Sequence, residues 1–323
     1  MPSRRSVCIS TAGVLLALPR ARGAARLRLG FVSGGDEAAA ATFVQAVLGD
    51  LRARGYTQPA TLALTSRFAN DDLSRVSRLV QDLELQPVDV IVTHASATTT
   101  VVKGPHSVPV VYEFSADPPS VGIASDLAHP LYNATGVTLM LAELNAKRLE
   151  LLQQISPRIR RVAVLANALH PGQHLERDVS ETKAHELGMG ISMHLTRNEA
   201  ELHAALAAIA ADLPDAMLVF SDAFVVSHRR LILDFALARR LPVVSGWSVM
   251  AEDGALCTYG PRLIESYRRV GYFVDRIVRG AKPSDLPIEQ PTVFELVVNL
   301  ATARTLGVPV PRTVLARADR VIE

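Results

Sequence analysis

The sequence predicts an α/β protein built from two Rossmann-like lobes, and three observations carry that expectation. From Leu27 onward, short apolar runs alternate with amphipathic stretches, the mark of a βαβ series around a parallel sheet. At 323 residues the chain exceeds one average domain, so two lobes are the natural division. Three stretches of the first half recur in the same order in the second. Leu27–Gly35 (LRLGFVSGG) corresponds to Arg160–Ala168 (RRVAVLANA), Val88–Ser96 (VDVIVTHAS) to Asp215–Ala223 (DAMLVFSDA), and Ser107–Ser115 (SVPVVYEFS) to Arg240–Ser248 (RLPVVSGWS).

Taken in order, the expected strands are Leu27–Val32, Val88–Thr93, Val108–Phe114, Arg161–Ala166, Ile191–Leu195, Ala216–Phe220 and Leu241–Val244. Between the first two lie two helical stripes. Phe43, Val44, Val47, Leu48 and Leu51 recur at helical spacing and end at Gly55, a suitable residue to follow a helix C-cap. Leu73, Val76, Leu79, Val80 and Leu83 form the second stripe, with Asn70 as its expected N-cap. Near the C-terminus, Leu256–Tyr259 reads as a short strand and Leu263–Val278 as a helix closed by Gly280. Val293–Asn299 is another strand, and a short helix with a Pro-rich tail follows.

Composition narrows the function classes. Hydrophobic content of 49% with 20% charge supplies material for packed cores and argues against disorder. A net charge of +2 gives no basic field of the kind that nucleic-acid binding needs. The two cysteines, Cys8 and Cys257, allow neither a disulfide framework nor a cysteine zinc site once Cys8 is assigned to a targeting segment. Residues 1–25 have that character: Arg4 and Arg5, an apolar run from Val7 to Leu18, then small residues at Ala21–Ala25. The run is too short for the roughly 30 Å hydrocarbon core of a bilayer. Cleavage is expected near Gly23–Ala25. The arginine pair suggests the twin-arginine route, although Val7 stands where Phe is common.

The stretch from Gly254 to Glu323, opening GALCTYGPRLIESYRRVGYFVDRIVRGAKP, closely resembles the C-terminal end of a bacterial family of ABC-transporter substrate-binding proteins that includes tryptophan- and phenylalanine-binding members. The resemblance extends through Leu51–Tyr56, Asp89–Thr93, Asn133–Gly136, Lys147–Leu152 and Arg161–Leu165. It implies the type I periplasmic-binding-protein fold, two lobes joined by a multi-strand hinge of three connections. Residues 26–136 plus about 261–288 would form the N-terminal lobe, and 137–260 plus about 289–323 the C-terminal lobe. It also implies a non-enzymatic, monomeric receptor in the periplasm, without cofactor, that passes a small molecule to an ABC permease of the inner membrane. Where the family often has Gly-Gly in its first crossover, this chain has Leu131 and Tyr132, which puts the usual hinge flexibility in question.

Ligands of open α/β sheets sit beyond the carboxyl ends of the strands, which selects the candidate site. In the first lobe, Ser33, Thr93, Ser96 and Ala97 lie on such loops, with Ser96 placed to cap a helix whose free N–H groups offer an anion site. A ligand ammonium needs an anionic partner against the cost of desolvation. Asp117, with Glu113 nearby, and Asp222 are the candidates, and Asp117 precedes Pro118 as in the resembled family. That family more often has Gly-Asp-Pro where this chain has Ser221-Asp222-Ala223. Phe68, Phe114, Phe224 and Trp247 are candidate aromatic walls, and Asn167 aligns with a family Asn. His170 and His174, four residues apart, lack a third metal ligand and read as solvated loop histidines.

Two other classes were weighed. A repressor-type ligand sensor needs a helix-turn-helix headpiece before the first lobe, where this chain shows the targeting pattern. An α/β enzyme would be expected to show a glycine-rich phosphate loop or a nucleophile elbow. Neither is present: Ser221, Asp222 and His228 supply triad residue types without the elbow, so no catalytic residue and no metal site is assigned.

Overall fold

The computed structural model describes residues 26–323. The targeting segment assigned to residues 1–25, with Cys8, lies outside them.

The first lobe runs through β1 (Leu27–Ser33), α1 (Glu37–Ala53), β2 (Leu62–Phe68), α2 (Val76–Glu84), β3 (Val90–His94), α3 (Thr98–Lys103) and β4 (Val110–Phe114). A small hairpin, β5 (Ala124–Asp126) and β6 (His129–Pro130), precedes β7 (Ala134–Thr138). The second lobe continues with α4 (Leu141–Ile155), β8 (Arg161–Asn167), α5 (Gln173–Glu186), β9 (Gly190–Thr196), α6 (Glu199–Asp212), β10 (Ala216–Val219), α7 (Ala223–Ser227), α8 (Arg229–Ala238), β11 (Val243–Ser245), α9 (Ser248–Glu252) and β12 (Cys257–Pro261). Then come α10 (Leu263–Val278), β13 (Phe294–Asn299), α11 (Leu300–Leu306), α12 (Arg312–Leu315) and β14 (Arg320–Ile322).

The first sheet has the order β2-β1-β3-β4-β7, all parallel. The second, β14-β13-β12-β11-β10-β8-β9, repeats that order as β9-β8-β10-β11-β12 and adds β13 antiparallel at the edge of β12. The strands matched in sequence therefore occupy equivalent places: β1 with β8, β3 with β10, β4 with β11. Each sheet is covered on both faces, which is why its strands read as continuous apolar runs. In the first lobe Leu29, Phe31 and Val92 pack under α1 and α10, while Val32, Ile91 and Tyr112 pack under α2 and α3.

Helix α10 belongs by packing to the first lobe, against α1, β4 and β7, although it follows β12 of the second. The chain thus crosses between sheets at Thr138–Leu141, at Pro261–Leu263 and between Glu289 and Phe294. Glu289 bridges to Val137, and its carbonyl accepts from Thr138 N at 2.9 Å.

Several local expectations need correcting. Strand β2 was not read from the sequence. Asn70 does not cap the helix over 73–84: it sits at φ 52°, which Asn tolerates, and the cap is Asp72, whose side chain accepts from Ser74 N. Gly55, by contrast, follows α1 at φ 96° as a C′ glycine should. Leu131 and Tyr132 are not at the hinge. They precede β7 at its amino end, exposed and remote from the cleft, with Tyr132 at φ 62° where glycine would be unstrained.

Candidate functional site: the interlobe cleft

The carboxyl ends of β1, β3 and β4 and those of β8, β10 and β11 face the seam between the lobes. Strand parity decides which side chains reach it. In the first lobe Ser33, His94 and Glu113 share the α1/α10 side of the sheet top. Ser33 Oγ accepts from Gly35 N and lies 3.2 Å from His94 Nε2. The His94 ring stacks on Phe43 at 4.5 Å, and burial pushes its pKa down to about 4. Glu113 lies 3.9 Å from His94 Nδ1. Burial, only partly offset by a backbone hydrogen bond from Ala95 and the charge of His170, pushes its carboxyl up to about 8.

The second lobe links its buried ionisable groups through hydrogen bonds, with Arg148 Nη2 left without a partner. His170 Nδ1 lies 3.0 Å from Glu176 Oε1. Glu176 Oε2 accepts from Asn145 Nδ2 at 3.0 Å, and Asn145 Oδ1 accepts from Arg148 Nη1. Arg148 is fully buried and also donates through Nε to the Tyr259 carbonyl at 2.9 Å. Burial lowers its pKa to about 10, against the opposing charge of Glu176. For His170 burial acts downward too, but Glu176, Asp222 and Glu113 outweigh it and the pKa is raised. Gly246 makes room for this chain, because a Cβ there would collide with Ser221 Oγ and the Arg148 guanidinium.

Asp222 is nearly buried and caps α7. Its Oδ1 accepts from Phe224 N at 2.8 Å and from Asn167 Nδ2 at 2.9 Å, so both of its bonds use one oxygen. Asn167 is fixed in turn by accepting from Leu169 N. The pKa of Asp71 is raised by burial and then by the charges of Asp36 and Asp222. Thr93 Oγ1, Ser221 Oγ, Gln173 Nε2 and Trp247 Nε1 are buried without a hydrogen-bond partner.

The geometry revises the sequence-derived candidates. Ser33, Asn167, Ser221, Asp222 and Trp247 lie at strand ends along the seam, whereas Thr93, fully buried and in register with Tyr112, shares the α2/α3 side. Phe114 does not line it: the side chain is fully buried in the core beside Tyr112, on the α2/α3 side. Ala97 is buried in that same core. Ser96 caps nothing, since α3 has no side-chain cap, and its hydroxyl packs against Gly34 instead. Asp117 spends its carboxylate on Ser120 N at 2.8 Å, the turn role of an Asp before Pro. Phe68 packs edge-on against Phe31, and Phe224 lies against the His228 ring. His170 is not a solvated loop histidine but a buried one, whereas His174 is exposed. Among the described residues no group of three or more metal-binding side chains is clustered.

Glu113, which the sequence reading names only beside Asp117, and His94, Gln173, Glu176, Asn145 and Arg148, which it does not single out, complete these clusters. Parity with Ser33 points to the first two. The α4 residues also had a signal: Asn145 and Arg148 fall on the stripe Leu141, Leu144, Leu149, Leu152, where polar side chains demand buried partners.

Two sheets of the same order facing each other across a polar cleft, with three crossing segments, define a bilobal ligand-binding protein of the type I periplasmic-binding fold. The profile of the ABC transporter substrate binding protein family matches residues 31–322, and the chain belongs to that family. Among solved structures it resembles an ABC domain in complex with L-Trp from Streptococcus pneumonia, with TM-score 0.85 and 20% identity over 92% of this chain and 100% of that one. A conserved domain protein from Vibrio cholerae matches with TM-score 0.84 and 22% identity, covering 91% of this chain and 99% of that one. A ligand-free, open substrate-binding protein with adhesive properties from Clostridium difficile matches with TM-score 0.68 and 18% identity, covering 92% and 99%. No curated protein matches the chain by sequence. Among the described residues no helix is long and apolar enough to cross a membrane.

Proposed function

We propose that the chain is the periplasmic receptor of an ABC importer, exported by an N-terminal signal, which captures an amino acid with an aromatic or branched side chain. It has no catalytic role. Its lobes, residues 26–136 plus about 261–288 and 137–260 plus about 289–323, close as a monomer on the ligand and present the closed form to a permease. The observation that carries this reading is Asp222, a nearly buried carboxylate whose hydrogen bonds all use Oδ1. A ligand ammonium has Oδ2 to pair with. The unpartnered Ser221, Gln173 and Trp247 groups supply donors for a carboxylate and a wall for a flat side chain. The L-Trp complex of the Streptococcus relative supports the same ligand class.

A thermal-shift screen of amino acids, aromatic acids and sugars tests this directly. Ligand that binds only the folded chain adds about 2.7 kcal/mol of apparent stability at a hundredfold excess over Kd. A zwitterionic amino acid should be the strongest stabiliser. A sugar or an amine-free acid in first place would overturn the ligand class.

A further inference from the structure

We propose that His170 is a latch that holds the two lobes together, acting on capture without touching the ligand. His170 sits on the loop after β8 in the second lobe. Its Nε2 lies 2.6 Å from Ser115 Oγ, the residue following β4 in the first lobe, and both side chains are buried. Its other nitrogen is held by Glu176 at 3.0 Å, and Glu176 is tied through Asn145 to Arg148. A single hydrogen-bonded chain therefore runs from the first lobe to the floor of the second.

The backbone around the latch is close-packed. A Cβ on Gly172 would come within 2.8 Å of the Ala116 Cβ, so the loop carrying His170 abuts the segment carrying Ser115. Beside them is a cavity of about 10 Å³, lined by Ser115, Thr138, Met140 and Glu176, room for about one water. The groups facing His170 are acidic or neutral: Glu113 and Ser115 from the end of β4, Glu176 from α5 and Asp222 from the start of α7. With Nδ1 facing the Glu176 carboxylate, Nε2 is the nitrogen left for Ser115.

The arrangement is asymmetric in a way that suits a latch. Opening the lobes breaks one bond, Ser115 to His170, while Glu176, Asn145 and Arg148 all stay within the second lobe. The charge pair is never separated, so opening exposes it to water without leaving an ion unpaired. The cost of opening is then that of one charge-assisted hydrogen bond, enough to shift the closed-to-open ratio about tenfold.

This inference rests on the closure proposed above, and its test separates the two. Nitroxides at Ser77→Cys on α2 and Arg230→Cys on α8, both exposed, report the distance between lobes by double electron–electron resonance. Cys257 is buried and Cys8 is replaced by Ser. The full chain is measured without added ligand, so failure of the receptor reading does not affect the outcome. Ser115→Ala and His170→Ala should each move the closed-to-open ratio about tenfold toward open, and the double variant should move it no further. Distributions unchanged from the parent, or shifts that add, would overturn the latch. Should His170→Ala fail to fold, Ser115→Ala alone decides, because it leaves the His170–Glu176 pair intact.

Discussion

The two lobes share a sheet order but treat buried ionisable groups in opposite ways. At the top of the first, His94 and Glu113 are kept uncharged, the histidine pushed down to about 4 and the glutamate up to about 8, each chiefly by burial. At the top of the second, His170, Glu176, Asn145 and Arg148 are joined in one hydrogen-bonded chain, and the His170 pKa is raised despite burial. A duplicated fold therefore does not dictate a duplicated electrostatic solution. Aromatic rings of α1 and α10 crowd the first cluster, with Phe43 on His94 at 4.5 Å and Tyr267 edge-on to Phe43 at 5.0 Å. Where rings leave no room for a counter-ion, a titratable group goes neutral; where a helix supplies partners, it joins a hydrogen-bonded chain.

The largest effect that would break this contrast belongs to Arg148. Arg148→Met leaves the Asn145 Oδ1 and the Tyr259 carbonyl buried without their donor, a loss of about 1–3 kcal/mol for each. Denaturant titration at pH 7 should show that loss, with Glu113→Gln in the first lobe far less costly. Equal losses would erase the distinction. Next comes Gly246→Ala, expected to cost about 1–3 kcal/mol because its methyl collides with Ser221 Oγ and the Arg148 guanidinium; an unchanged denaturation midpoint would mean that the guanidinium moves freely.

Asp222→Asn sharpens the functional side. Asn retains an Oδ1 for Phe224 N and Asn167 Nδ2, so the fold should hold while affinity for the best stabiliser falls at least tenfold, about 1.4 kcal/mol. Calorimetric titration reads it, and unchanged affinity would remove Asp222 from the site. Asp222→Ala is a poorer probe than Asp222→Asn, since it also removes the cap of α7, worth about 1 kcal/mol.

The smallest effect is a slope. Glu113 has its folded pKa raised, so the stability it contributes is complete below the ordinary carboxylate range and is lost as pH rises toward 8. His94 has the opposite sign, contributing above the ordinary histidine value and losing it as pH falls toward 4. Between pH 6.5 and 8 only the Glu113 contribution of this pair changes. Glu113→Gln should therefore flatten the decline of Tm across that window, and an identical slope would show that Glu113 is ionised in the fold.

Much of the fold was legible in the sequence because β-branched and apolar runs buried on both faces of a sheet leave little alternative. Of the first sheet's strands, the two that escaped, β2 and β7, are its outermost. In β2, Thr65, Ser66 and Arg67 dilute the apolar signal of Leu62 and Leu64. The site was less legible. Loop position found Asp222, Asn167 and Ser221, but it could not say that Phe114 points away, which needs the parity of β4, nor that His170 is buried, which depends on a loop meeting the other lobe. Asn145 and Arg148 were readable as polar breaks in an apolar helical stripe. Their partners were not, because Glu176 and Tyr259 come from elements far apart in sequence.

Native mass spectrometry, on the chain purified without refolding and then incubated with a mixture of the protein amino acids, tests the central claim most directly. The account predicts one non-covalent adduct of amino-acid mass on the folded charge states, absent from the unfolded ones and depleted in Asp222→Asn. Bare protein in every charge state, for the parent chain in that mixture, would contradict the assignment of an amino-acid receptor.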